Sequence, residues 1–183
     1  VREAHAVGRH ILPPRGTRSG FWGQMARRHS GFHILALAAI VGGLLRLIEP
    51  LTARAIHGAA LQTSYVLTDI FLILGFIGFG MATARLGKAG AAIGVIGLAM
   101  IRIGAATGMA LYQPGAALAL FGAAFIGVDI LQRRAKSRLA AALFVAALVL
   151  GLLALVPQTT MPAAFAAGIA FGLGFVLEGI ALL

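Results

Sequence analysis

AGAAIGVIGLAMIRIGAATGMALY, residues 89–112, decides the class of this chain. The stretch holds one charge, Arg102, and no alternation of apolar and polar residues. A hydrocarbon layer of ~30 Å takes ~20 residues of helix at ~1.5 Å per residue. Backbone groups in lipid must be satisfied within their own segment or in a closed barrel. A continuous run of this length is therefore a transmembrane helix, because barrel strands alternate.

The same reading extends in both directions. Stretches at 31–51, 64–84, 115–132, 138–156 and 162–183 have the required length or come close to it. They leave no room for a second, soluble domain in a chain of 183 residues. The predicted fold class is all-α: six transmembrane helices over 31–183, preceded by a basic tail over 1–30. That tail carries Pro13-Pro14 and scattered Gly, with too little apolar content to fold alone. It lacks a short apolar core followed by a small-residue cleavage site, so it does not read as a signal peptide. Phe21 and Trp22 are expected at headgroup level.

Composition agrees. Hydrophobic residues make up 60% of the chain and charged residues 11%, against about a quarter charged in soluble domains. With no Cys, disulfides, thiolate metal sites and Cys nucleophiles are excluded.

The net charge of +10 is a topology signal. Arg2, Arg9, Arg15, Arg18, Arg27 and Arg28 precede the first span, Arg85 and Lys88 follow the second, and Arg133, Arg134, Lys136 and Arg138 follow the fourth. All fall on one side, against Arg54 alone on the other. The positive-inside rule places both termini in the cytoplasm of a bacterial-type inner membrane. The cations are spread over loops that flank spans, so the expected partner is a bilayer with anionic headgroups and not nucleic acid.

Each odd span is predicted to end at a proline (Pro50, Pro114, Pro157), and each even span carries one acid: Asp69, Asp129 and Glu178. Pro162 opens the sixth span, a position proline tolerates. Three Pro-ended hairpins are the expected architecture. This layout is similar to that of the HdeD-like acid-resistance membrane proteins, which are also six-helix chains of this size. The similarity covers all six spans and carries no residue roles with it.

Apolar side chains gain little by leaving lipid, so small residues must supply close contact between helices. Gly90/Gly94, Gly104/Gly108 and Gly168/Gly172 form GxxxG pairs, expected as helix-packing positions or as a face for a partner. Gly75 and Gly78 flatten part of the second span. Charges within spans cost at least ~2.5–3.5 kcal/mol each and need a reason. Arg102 reads as mid-membrane. Arg46 and Asp69 lie at similar depth and are expected to face each other, with Glu49 solvated at the outer interface. Asp129 has Arg133 at i+4. Arg46, Asp69, Arg102 and Glu178 are predicted to form an intramembrane polar network.

Other chemistry finds no footing. His29 and His33 stand at i,i+4 but lack an acid to complete a metal or haem site, so an interfacial place without a ligand role is expected. A zinc-protease HExxH, a P-loop and a Ser or Thr beside a base are missing. No catalytic residue, metal or cofactor is expected. Two functions remain. The first is a non-catalytic subunit or scaffold of a membrane assembly, joined to other subunits or to its own copies through small-residue faces. The alternative is a compact proton-coupled or small-solute transporter or channel using the intramembrane Arg and acids.

Overall fold

The computed structural model describes residues 18–133 and 137–183, with side chains from residue 31 onward. Expectations for the tail, Phe21, Trp22, His29, Arg134 and Lys136 lie outside the described residues or side chains. Six helices follow in order: α1 Arg18–Ala55, α2 Ala59–Ala82, α3 Arg85–Thr107, α4 Tyr112–Gln132, α5 Arg138–Leu153 and α6 Thr160–Leu182. Five contain stretches long and apolar enough to cross a membrane, and α5, with 16 residues, is shorter. At ~1.5 Å per residue α5 reaches only ~24 Å. No strand occurs among the described residues.

Helix ends differ from the sequence expectation where local chemistry overrules hydropathy. The chain is already helical at Arg18, well inside the expected tail. Pro50 does not end α1. The helix continues through it to Ala55, so Pro50 only withholds an N–H from the carbonyl of Arg46, four residues back. α3 stops at Thr107, because Gly108 takes the left-handed conformation at φ 72°. Pro114 consequently falls in the first turn of α4, where its missing N–H costs nothing. α5 stops at Leu153, ahead of Pro157, and the Leu153 carbonyl accepts the Val156 N–H at 3.0 Å and the Thr159 hydroxyl at 2.6 Å. Pro162 lies in the first turn of α6, as expected.

The six helices form a ring. Each packs on its sequence neighbours, and α1 closes the circle against α6. Neighbours run antiparallel, so the connections α1–α2, α3–α4 and α5–α6 share one end of the ring. That end is called the hairpin end here, and the opposite one, where α6 finishes, the terminal end. Contact continues between hairpins, α2 on α3 and α4 on α5, so the three expected hairpins are not separate units. The main contact across the ring joins α2 to α6.

Glycine sets the closest approaches. On α3 the contact face is Gly90, Gly97 and Gly104, spaced by seven residues. A Cβ on Gly90 would lie 2.5 Å from the Gly122 carbonyl oxygen, and one on Gly97 2.5 Å from Ala119 N and Gly115 O. Gly94 meets the Phe76 ring, while its own backbone touches Gly122. A Cβ on Gly172 would lie 2.9 Å from Gly43 O across the α1–α6 seam. Two of the expected helix-packing positions do other work. Gly108 is the αL cap, where a Cβ would meet nothing within 4 Å, and a Cβ on Gly168 would have only the Arg46 guanidinium near it, at 3.9 Å. Alternation of small residues at i,i+4 suggested pairs, but Gly108 falls outside its helix and Gly168 falls where α1 and α6 diverge.

Candidate functional site: a charged cavity in the helix ring

The ring is filled at one end and hollow at the other. Toward the terminal end, Phe76 and Phe79 of α2, Phe144 of α5, and Phe171 and Phe175 of α6 form a closed aromatic layer. Phe175 stands at its centre, with ring centroids 4.8–5.6 Å from the other four. Its contacts with Phe76 and Phe144 are edge-on, at interplanar angles of 84° and 82°, the geometry favoured by the ring quadrupole. Gly75, whose Cβ would reach Phe175 at 2.9 Å, and Gly174, whose Cβ would reach Phe144 at 2.6 Å, make the space for these rings. Phe175→Ala is expected to cost about 3 kcal/mol, since the neighbours cannot collapse onto the void. Unfolding of the purified protein in mixed micelles measures this.

Toward the hairpin end the same interior opens into a cavity of about 530 Å³. All six helices line it. Its floor is Leu72, Leu98 and Phe171, and its mouth holds Tyr65, Tyr112, Gln113 and Thr160. From the start of α6 at Thr160 to Phe171 is ~17 Å of helix, about half of a hydrocarbon layer.

Two ion pairs stand on its wall. Asp69 of α2 pairs with Arg102 of α3, and Arg46 pairs with Glu49 one turn along α1. The expected Arg46–Asp69 pair is therefore not formed. The i,i+3 neighbour satisfies Arg46 locally, which leaves Asp69 to the arginine on the adjacent helix. Glu49 was expected to be solvated at a helix end. Because α1 runs on past Pro50, it is instead a half-buried member of the site. Its i,i+3 spacing from Arg46 was the readable signal. Arg102 is not at mid-span either. With α3 ending at Thr107, it sits about a turn and a half from the hairpin end.

Glu178 does not join this group. It is buried beyond the phenylalanine layer, one turn below Phe175, with the Ser137 side chain beside it. The four-residue polar network is thus divided: Arg46, Asp69 and Arg102 face the cavity, and Glu178 lies on the far side of a layer without polar atoms. Asp129, also at the terminal end, pairs with Arg133 at 3.1 Å as its spacing implied. Its carboxylate also accepts the backbone N–H of Ala84 at 3.0 Å, tying α4 to the start of α3. This cap was not legible, because it joins residues 45 apart. Asp129→Ala is expected to cost about 1–2 kcal/mol through loss of the cap and the ion pair, read from the same unfolding assay. His33 is exposed near the terminal end. No metal-binding group of three or more His, Asp or Glu side chains exists among the described residues.

The class follows from these elements: long apolar helices, a ring held by glycine contacts, and aliphatic side chains such as Ile34, Leu37, Ile96, Ile103 and Val149 turned outward. The chain is a polytopic integral membrane protein of the helical type. Compared with protein-family models, with curated proteins and with solved structures, it matches none.

Proposed function

We propose that the protein is a membrane carrier that receives a small solute in the cavity of its helix ring and releases it past the phenylalanine layer. The observation that supports this most is the Asp69–Arg102 pair, placed on the wall of a cavity and not sealed between helices. A charge within the membrane costs at least ~2.5–3.5 kcal/mol, and a polar wall facing water and solute gives that cost a purpose. A cavity open at one end and closed at the other is the shape that one state of alternating access requires. Arg46, Asp69, Arg102 and Glu49 hold the solute in this reading. Glu178, on the other side of the layer, is the first polar group met on release. The reading assigns no catalytic step and no cofactor.

Orientation follows from charge. Arg85, Lys88, Arg133 and Arg138 lie at the terminal end and Arg54 at the hairpin end. The positive-inside rule then puts the terminal end, with both chain ends, in the cytoplasm of a bacterial-type inner membrane beside anionic headgroups, and the cavity opens outward. The competing role, a non-catalytic scaffold subunit, rested on small-residue faces turned toward a partner. Among the described residues most of those glycines are engaged inside the ring, so its support is weaker.

The absence of native Cys makes the test clean. Single-Cys variants at Leu98 on the cavity floor and at Ser137 at the terminal end are placed in sealed vesicles with a membrane-impermeant maleimide. Leu98→Cys is expected to react from both faces, at least tenfold faster from the hairpin face. Ser137→Cys should react from the terminal face alone. Reaction of Leu98→Cys from only one face, under all conditions tried, would remove the carrier reading.

A further inference from the structure

The seam between α1 and α6 differs along its length. Toward the terminal end it is shut: a Cβ on Gly43 would meet the Gly172 carbonyl oxygen at 2.6 Å, and one on Gly179 the Ala36 carbonyl oxygen at 2.8 Å. At Gly168 the contact is lost, and the nearest group to a Cβ placed there would be the Arg46 guanidinium at 3.9 Å. From there to the hairpin end the seam holds a second hollow of about 240 Å³, bounded by Pro50, Ala53, Ala164, Phe165 and Ile169. Arg46, Glu49, Tyr65, Ala164 and Gly168 line both this hollow and the central cavity. Phe165 and Leu51 beside it are exposed on the outer, lipid-facing surface. The two hollows therefore share a wall of side chains, with the Arg46–Glu49 pair between them.

The lining of the central cavity has a definite charge pattern, with Arg46 and Glu49 shared with the seam hollow and Asp69 and Arg102 on the central side alone. Two guanidiniums and two carboxylates give a formal charge of zero, arranged as two pairs. A ligand with a lone anion would have to compete with Asp69 or Glu49 for its arginine, and a lone cation would face the converse problem. A head group bearing both signs displaces nothing: its anion meets guanidinium N–H donors and its cation meets carboxylate oxygens. Below the pairs the wall is aliphatic and aromatic, with Leu72, Leu98, Leu120, Leu148 and Phe171. That part suits an alkyl chain and offers nothing to a sugar or an inorganic ion.

We infer that the cavity takes a single-chain zwitterionic amphiphile, which reaches it sideways from the bilayer through the α1–α6 seam. The inference rests on the carrier reading for the cavity and adds the ligand class and its route. The head stays at the level of Arg46, Glu49, Asp69 and Arg102, and the chain lies along the apolar floor. Gly168 is the position that keeps the route open.

The test uses the whole protein in lipid nanodiscs with a lysophosphatidylcholine that carries a photoreactive group in its alkyl chain. Cross-linked residues are mapped by peptide mass spectrometry. Labelling is expected at Leu98, Leu120 and Leu148. Unlabelled lysophosphatidylcholine should compete at least tenfold better than a carboxylic acid or a trimethylammonium of equal chain length. Gly168→Phe puts a ring into the seam beside Arg46, and thermal unfolding of the variant verifies that it folds. It is expected to slow labelling at least fivefold.

Labelling confined to lipid-facing positions such as Ile34 and Leu37 would overturn the inference, and so would equal competition by all three amphiphiles. An unchanged labelling rate in a folded Gly168→Phe protein would overturn the lateral route. The single-Cys experiment separates this failure from failure of the carrier reading. Two-faced reactivity of Leu98→Cys without cavity labelling leaves a carrier for another solute. Cavity labelling with one-faced reactivity leaves a binding protein that does not transport.

Discussion

Asp69→Leu is expected to lower stability by about 3 kcal/mol, and the double substitution Asp69→Leu/Arg102→Leu to recover most of that loss. The pair joins α2 to α3 from a wall within the membrane, with Asp69 almost entirely buried. Removing the carboxylate leaves a guanidinium with no counter-charge where water is scarce. Removing both leaves two leucines and no unpaired charge, at little cost. The value lies toward the lower end for a broken buried pair, because the cavity lets some water reach Arg102. Asp69→Asn keeps the shape and removes only the charge. On the carrier reading it should remain folded and lose flux, whereas a merely structural pair would show its whole effect in stability. A double-mutant cycle by reversible unfolding in mixed micelles, with flux measured on the same four proteins, checks both statements.

The second large effect is expected at the α3–α4 contact. Gly122→Ala places a methyl group 2.5 Å from the Gly90 carbonyl oxygen and 2.5 Å from Gly94 N. Both neighbours are helical backbone, so no side chain can swing aside and the two helices must separate. Overpacking commonly costs about 1–3 kcal/mol, and a clash with the backbone of α3 at two successive turns puts this substitution at about 3. The loss is compounded in lipid, where association depends on close van der Waals contact that separation forfeits. Gly168→Ala is the matched control, expected to stay within about 0.5 kcal/mol of wild type because its Cβ has room. Thermal unfolding of the pair in one detergent distinguishes a specific contact from a general intolerance of alanine. Equal behaviour of the two variants would contradict the closeness of the α3–α4 contact.

Much of the site was readable, but not its pairing. Arg46, Asp69 and Arg102 stand out in the chain because an ionisable residue inside an apolar run is expensive wherever it occurs. Which acid meets which base was not readable. Depth along a span depends on where its ends lie, and hydropathy misplaces ends. The αL turn at Gly108 shortened α3 and moved Arg102 toward the hairpin end, while Pro50, read as a stop, lies inside α1 and draws Glu49 into the site. The aromatic layer was likewise hidden, since Phe76, Phe144 and Phe175 look like any apolar residue until three helices bring their rings together.

What the residues alone determined is the class and the helical content, for a local reason. Each span satisfies its own backbone hydrogen bonds, and twenty apolar residues in a row need no partner to choose helix over strand in lipid. The tertiary structure decided everything that depends on which face of each helix turns inward. It closed α1 on α6, split the predicted polar network with five phenylalanines, and turned Gly168 from a packing position into an opening. Lipid is as apolar as the side chains it touches, so no amphipathic pattern marks the inner face of such a helix. Only the fit of glycine against backbone and ring against ring selects it, and that fit exists only once the ring has closed.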